Sequence, residues 1–232
     1  MAKLKGGTLA IDVGGTGIKG MVLDPSGKAV NERVRLETPR PAEPERVLAT
    51  IVEVARAQPG FERVSIGFPG VVVSGVVETA PNLDGDWRGF RLADRVAESL
   101  EKPTRAANDA DVQGLGTVDG VGVEMVLTLG TGLGSALFVN GRLVPNLELG
   151  HHPFRKGRTY EDLLSNAELG RIGKKKWNRR VRRALDQIMP IWNPDLIYLG
   201  GGNARKLEGE LPPKVKVSDN VAGILGGIKL WL

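Results

Sequence analysis

Leu9-Ala10-Ile11-Asp12-Val13-Gly14-Gly15-Thr16-Gly17-Ile18-Lys19-Gly20-Met21-Val22-Leu23 is the stretch on which the reading of this chain turns. Two short apolar runs, Leu9 to Val13 and Ile18 to Leu23, flank Gly14-Gly15-Thr16-Gly17, the pattern of a strand, a tight turn and a second strand. A phosphate needs backbone N–H groups converging on a concavity, and glycine lets the backbone close in on it. Asp12 adds a carboxylate able to hold hydrated Mg2+ through water, Thr16 a hydroxyl for phosphate, and Lys19 a cation just beyond. A single turn of this kind reads more simply as a β-hairpin with ordinary turn glycines.

The pattern recurs. Glu124 to Leu129 and Ser135 to Val139 flank Gly130-Thr131-Gly132-Leu133-Gly134, and a third apolar run, Leu196 to Leu199, enters Gly200-Gly201-Gly202-Asn203. Two strand–glycine–strand units and a glycine-rich strand exit favour phosphate turns over plain hairpins. Between them, Glu43 to Gln58 carries Val47, Leu48, Ile51, Val54 and Ala55 at helical spacing. Val64 to Phe68 reads as a buried strand ending in Pro69-Gly70, and Pro81-Asn82-Leu83 as part of a loop. Leu92 to Leu100 and Val221 to Trp231 read as further helices. Strands alternating with helices place the chain in the α/β class.

A basic segment stands apart. Between Arg171 and Arg183 lie eight cationic residues (Arg171, Lys174, Lys175, Lys176, Arg179, Arg180, Arg182, Arg183) and no acidic one. The whole chain carries a net charge of only +5, so without them it would be net acidic. Basicity concentrated in one place implies an anionic partner there. Ser165-Asn166-Ala167-Glu168 fits a capping box that opens one helix through this segment, and Pro190 reads as its stop. Trp177, Val181, Leu185 and Ile188 would share its buried face, and Lys176, Arg179, Arg180 and Arg183 another.

Composition bounds the rest. The 232 residues suffice for one full core or two small lobes. Cysteine is absent, which excludes disulfides, thiol catalysis and thiolate metal sites and suits a reducing cytoplasm. Met1 to Gly7 lacks the apolar stretch of a signal peptide, and no apolar run approaches the roughly 20 residues of a bilayer span. The expectation is a soluble, cytoplasmic protein with no membrane partner.

Asp12-Val13-Gly14-Gly15-Thr16, Leu129-Gly130-Thr131-Gly132 and Gly200-Gly201-Gly202, in that order, resemble the two phosphate loops and adenosine loop of the hexokinase/actin/acetate-kinase superfamily. Gly67-Phe68-Pro69-Gly70, Asn108-Asp109-Ala110 and Glu148-Leu149-Gly150-His151 are similar to motifs of the ROK family of sugar kinases. The finer pattern resembles that family's polyphosphate glucokinases and polyphosphate/ATP glucomannokinases. It includes Thr79-Ala80-Pro81-Asn82-Leu83, Asn108 to Gly114, Leu127 to Gly132 and Gly150-His151-His152-Pro153-Phe154.

The resemblance implies an α/β, two-lobed actin/hexokinase-like (ribonuclease H-like) fold with a cleft between lobes. The lobes would be 1–109 and 110–220, with a final helix, 221–232, packing back onto the first. It implies a homodimer that phosphorylates glucose and mannose at the 6-hydroxyl from polyphosphate and ATP, with Mg2+. Asp109 would be the catalytic base. Asn82, Asn108, Asp109, Glu148, His151 and Glu161 would bind the sugar. Asp12, Gly14, Gly15, Thr16, Lys19, Gly130, Thr131 and Gly132 would bind donor phosphates, and Gly200, Gly201, Gly202 and Asn203 the adenosine. The basic face (Lys174, Lys175, Lys176, Arg179, Arg180, Arg183) would be a track for polyphosphate.

One departure from the family pattern stands out: the cysteine-rich zinc motif that usually follows Gly-His is missing, so no zinc is expected. His151-His152 offers no substitute, since neighbours on a strand point to opposite faces. Packing of Phe154 and Tyr160 would then order Pro153 to Leu164. Three rival readings are a strictly ATP-dependent hexokinase, a non-catalytic sugar sensor and a nucleic-acid-binding module. The sensor would need a DNA-binding domain ahead of Asp12. The nucleic-acid module would leave the Asp12, Thr131 and Asp109 motifs without a role, so no nucleic-acid partner is expected.

Overall fold

The computed structural model describes residues 6–218 and 222–232; the residues 1–5 read above and Val221, where the final helix was expected to begin, lie outside the described residues. The described residues form two compact units, one running to Gly116 and taking in the residues from Ala222 on, the other beginning at Thr117.

In the first unit, β1 (Thr8–Val13) and β2 (Ile18–Leu23) are the two apolar runs of the opening stretch, paired antiparallel with Asp12 opposite Lys19. β3 (Val34–Leu36) pairs antiparallel with β2. The chain then crosses over through α1 (Pro44–Arg56), whose five expected apolar positions are all buried. Proline at the start, Glu45 in the first turn and Arg56 in the last all suit a helix terminus of that polarity. β4 (Arg63–Phe68) returns parallel to β1. A small arm follows, β5 (Val72–Val73) with β6 (Val76–Val77), then α2 (Leu92–Leu100), β7 (Thr104–Asn108) parallel to β4, and α3 (Asp109–Thr117). The sheet order is β3-β2-β1-β4-β7.

The second unit repeats this plan. β8 (Val123–Leu129), β9 (Leu133–Val139) and β10 (Arg142–Val144) form an antiparallel meander. A hairpin, β11 (Pro153–Arg155) and β12 (Arg158–Thr159), leads into α4 (Tyr160–Leu164), α5 (Asn166–Ile172) and α6 (Lys174–Trp192). β13 (Leu196–Gly200) and β14 (Val215–Val217) complete the sheet as parallel strands in the order β10-β9-β8-β13-β14. The echo between the two glycine turns is thus an echo of the whole sheet. Each turn joins the first strand of its sheet to the second.

The basic segment departs from expectation in three ways. It is two helices, broken at Gly173 with φ of 78°. Ser165 Oγ does accept from the Glu168 amide at 3.3 Å, but the Glu168 side chain turns to arginines rather than back to the cap; the full capping box is Thr159 with Asp162, at the start of α4. Pro190 lies inside α6 rather than ending it. So late in the helix it removes a single backbone bond, and the helix runs on to a left-handed Asn193 whose N–H reaches the Met189 carbonyl at 2.8 Å. Trp177, Val181, Leu185 and Ile188 are buried as expected.

The C-terminal helix α7 (Ala222–Lys229) belongs to the first unit. Gly226 lies against the backbone of α3 at Val112 and Gly116 so closely that a Cβ would collide with the Val112 carbonyl, and Gly227 lies on Ala10 and Ser65. Ser65 Oγ donates to the Gly227 carbonyl at 2.5 Å and accepts from Trp231 Nε1 at 2.8 Å. The guanidinium groups of Arg63 and Arg105 stack on the same indole at 5.0 and 4.6 Å. This packing holds α3 and α7 together in the compact unit that runs to Gly116. Among the described residues, no helix is long and apolar enough to cross a membrane.

Candidate active site

In the first unit the expected residues gather at the C-terminal ends of the parallel strands β1, β4 and β7, where ligands of open α/β sheets bind. Past β1, the Gly14 N–H bonds the Gly17 carbonyl at 3.1 Å and closes the turn. Its other carbonyls point outward and are taken by three side chains that the sequence motif gave no sign of. Thr38 Oγ1 donates to Gly14 at 2.5 Å, Arg40 to Gly15 at 2.6 Å and Arg35 to Thr16 at 3.1 Å. Lys19 Nζ sits 2.9 Å from Asp12 Oδ2, a cross-strand pair that follows from the β1–β2 register.

β7 delivers Asn108 and Asp109. Asn108 is buried; its Oδ1 accepts from the amides of Ala110 at 2.8 Å and Asp111 at 3.2 Å, opening α3, while its Nδ2 donates to the Gly70 carbonyl at 3.1 Å. Asp109 is therefore the first residue of α3, partly exposed, with Oδ1 accepting from the Ala110 amide at 2.7 Å. Gly67 on β4 lies beside Asp109; a Cβ there would sit in ordinary contact with the Asp109 Cα at 3.4 Å. Gly70 is needed because a Cβ would run into the Thr79 carbonyl. The segment passing over Gly70 leads into a turn that carries Asn82, exposed, whose carbonyl lies beside Gly15. Trp87 anchors that loop through bonds to the Ala42 and Asp84 carbonyls at 3.2 and 2.9 Å.

The second unit holds the other expected residues in the same place, past β8 and β13. The Gly130 N–H bonds the Gly132 carbonyl at 3.1 Å, and Thr131 is exposed at the tip. Gly201, with φ of 81°, lies so close to Leu129 that no side chain could fit. Asn203 is buried, and its Nδ2 donates to the Gly130 carbonyl at 3.2 Å, so this side chain braces the glycine turn.

Glu148, His151 and Glu161 come together in this unit. His151 Nε2 lies 3.3 Å from Glu148 Oε2 and 3.8 Å from Glu161 Oε2. The pair His151-His152 is not on a strand: Leu149–His151 is a short 3-10 turn, and His152 turns to the Pro153 carbonyl at 2.9 Å. Glu161 reaches the group from α4 because Gly132 leaves room; a Cβ there would collide with its carboxylate. Burial pushes the Glu148 carboxyl above its ordinary range; His151 draws it down and the Glu161 charge adds to the rise. Two carboxylates around an imidazole can each take paired hydroxyl hydrogen bonds.

The place of the zinc motif is filled by the β11–β12 hairpin. Phe154 stacks on Tyr160 with centroids 4.5 Å apart, and both are buried. Among the described residues no cluster of three or more His, Asp or Glu could hold a metal. Asp12 is a lone, partly exposed carboxylate beside a glycine turn. That donor set does not cage Mg2+ but fits an ion held chiefly by phosphates and water.

Of the six cations assigned to a polyphosphate track, Lys176, Arg179, Arg180 and Arg183 line a cavity of about 420 Å³ together with Arg155, which the sequence reading missed. Lys174 instead pairs with Glu208 at 2.9 Å. Arg180 is bound to buried Glu168, as is Arg171 at 2.7 Å; the Arg171 bond, with Arg180 beside it, holds the Glu168 carboxyl down at about 2 against its burial. That acid lies three residues before the basic run, and its spacing gave no hint of the contact.

Comparison with known proteins agrees with this arrangement. Over 93% of its length the chain is 38% identical to the polyphosphate glucokinase of Mycobacterium tuberculosis, covering 88% of that protein. The inorganic polyphosphate/ATP-glucomannokinase of Arthrobacter sp. strain KM superposes with a TM-score of 0.89 at 32% identity, over 98% of this chain and all of that one. A ROK family glucokinase from Streptomyces griseus, solved with glucose and AMPPNP, shares the fold at a TM-score of 0.79 and 23% identity, over 97% of this chain and 99% of that one. The actin/hexokinase-like α/β fold is therefore shown. The ROK family profile matches residues 8–176, and this chain belongs to the ROK family.

Proposed function

We propose that this chain is a glucokinase that transfers the terminal phosphoryl group of inorganic polyphosphate, or the γ-phosphoryl group of ATP, to the 6-hydroxyl of glucose and also of mannose. Asp109 carries the reading. It is fixed as the first residue of α3 by Asn108, at the same sheet end as the Gly14 turn. A carboxylate placed there can orient a sugar hydroxyl and take its proton. The sugar oxygen forms its bond to phosphorus as the bridging P–O bond to the donor breaks, the proton passes to Asp109, and the shortened donor leaves.

Asn82 and Asn108, with Glu148, His151 and Glu161, bind the sugar hydroxyls in this reading. The Gly14 and Gly130 turns bind donor phosphates, with Arg35 and Arg40 near the first. Asp12 would hold Mg2+ through water; bound, the ion supplies charge neutralisation at the phosphates. The backbone at Gly200 to Gly202 takes the adenosine when ATP is donor, and the α6 cations take the tail of polyphosphate. The high similarity to a polyphosphate glucokinase and a polyphosphate/ATP-glucomannokinase supports both donors. A cytoplasmic homodimer completes the reading.

The test is sugar-6-phosphate formation from glucose and Mg2+, with long-chain polyphosphate or ATP as sole donor. Wild type is expected to use both, and Asp109→Asn to lose about 100-fold or more in kcat with its fold intact. Near-normal turnover by Asp109→Asn would remove the base assignment, and wild type inert with both donors would restore the sensor reading.

A further inference from the structure

Residues 176, 179, 180 and 183 share one helical face by spacing alone, and a single helix face offers a ligand only a convex stripe. A cavity of about 420 Å³ needs a second wall, and here Arg155 supplies it. Arg155 ends β11, and a two-residue loop, Lys156 and Gly157 with φ of 53° and 70°, turns the chain back so that Arg158 stands opposite it in register. Arg158 Nη1 lies 3.4 Å from Glu168 Oε1, and the same carboxylate, 3% exposed, holds Arg180. One buried acid thus joins the hairpin to the helix. Among the described residues, no carboxylate lies within ion-pair range of Arg155, Lys176, Arg179 or Arg183. Cations gathered without acids repel each other, and a bound polyanion relieves that repulsion.

The cavity is also connected to the donor turn. The Asn166 amide at the start of α5 donates to the Gly130 carbonyl at 2.9 Å, and Glu168 follows two residues later. The cations therefore begin beyond that turn by about half a helical turn plus two side-chain lengths. A ligand that bridges the two must be an extended chain of anions.

Resting on the donor reading above, we propose that the β11–β12 hairpin, in the place of the zinc motif, forms the second wall of the polyphosphate site. Arg155 is its binding residue, and Glu168 is the positioning residue that holds hairpin and helix together. The test uses Arg155→Glu on the full chain, with KM for long-chain polyphosphate and for tripolyphosphate measured over a range of salt. The long-chain KM should rise about tenfold and its salt dependence flatten by about one charge, with tripolyphosphate moving less than about twofold. Arg158→Ala, which loosens the hairpin without removing a cavity cation, should raise the long-chain KM about threefold and leave kcat unchanged. Glu168→Gln should do the same where it folds, and Arg158→Ala stands for it where it does not.

An unchanged long-chain KM in Arg155→Glu, alongside a raised one in Lys176→Glu, would overturn the hairpin wall and leave the helix as a stripe. Equal losses with both chain lengths would overturn it too, by moving Arg155 to the phosphoryl-transfer point. Wild type that neither binds nor uses polyphosphate would instead bring down the donor reading itself.

Discussion

At the turn past β1, threonine and two arginines reach in from outside and take the carbonyls of Gly14, Gly15 and Thr16. At the turn past β8, the buried Asn203 amide and the Asn166 backbone take the Gly130 carbonyl, and Glu161 fills the space that Gly132 leaves. The sheets are the same in plan, yet the first turn is held by exposed cations and the second by neutral groups and a crowding carboxylate. The first turn thus keeps positive charge beside it. The second is coupled by contact, through Glu161, to His151 and Glu148. The two sheets share one plan, and the side chains that reach each turn differ.

Gly132→Ala should break this comparison most sharply. Its Cβ would displace the Glu161 carboxylate, and Glu161 is within reach of His151. Catalytic efficiency with glucose should fall about 100-fold, with a stability cost of about 1–3 kcal/mol. Steady-state kinetics with glucose and a melting curve check both, and calorimetric titration of glucose isolates the affinity. Glucose affinity close to wild type would show that Glu161 is not part of the sugar set.

Gly130→Ala and Gly15→Ala sharpen it. A Cβ at Gly130 meets no protein atom within 4 Å, and one at Gly15 meets only the Asn82 carbonyl at 3.9 Å. Neither variant should melt more than about 2 °C from wild type, because nothing in the protein is displaced. If donor phosphates approach these backbones, the donor KM should rise about tenfold in each. A donor KM unmoved by both would mean that no phosphate comes close, and the glycines would revert to hairpin turns.

Arg40→Ala and Arg35→Ala probe the difference in charge. Both side chains are exposed, so removing one costs little stability. Each should raise the donor KM about threefold at low salt and less at high salt, since exposed charges are screened. The equivalent change at the second turn, Asn203→Ala, should act through stability instead, by about 1 kcal/mol for a lost buried hydrogen bond.

The strands, the glycine turns and the faces of α1 and α6 were legible because each rests on a local pattern: alternation, glycine at a turn, apolar positions three and four apart. The motif singled out Asn108 and Asp109, and the buried Asn108 cap makes Asp109 the first residue of α3. What spacing did not carry was contact between distant segments. Arg35 lies on the short strand β3 and Arg40 in the loop after it, neither within a motif; Arg155 lies in a hairpin that no motif marked, and Glu168 at a position read as a helix cap. Each gained its role from what folded against it. The break at Gly173 was also missed, because the charge pattern runs unbroken across it and masks the glycine.

The smallest change in stability argued from a charge is expected at Glu148. Burial raises its carboxyl above the ordinary range, so ionising it costs more in the folded protein than in the unfolded chain. Relative to an uncharged residue, the fold is therefore unpenalised below the unfolded carboxylate pKa of about 4.3, and the penalty grows as pH rises through the raised folded value. Glu148→Gln keeps the shape and removes the charge. With the side chain one-third exposed, the gain at pH 7 should be a few tenths of a kcal/mol, a rise in melting temperature of about 1 °C that vanishes near pH 4. The same variant should bind glucose about tenfold more weakly, as a neutral amide accepts hydroxyl hydrogen bonds less strongly than a carboxylate. Stability and affinity moving in opposite directions is what a residue kept for the ligand would show. A variant less stable than wild type at pH 7 would mean that the pair with His151 holds the fold, and that the second unit keeps Glu148 for itself.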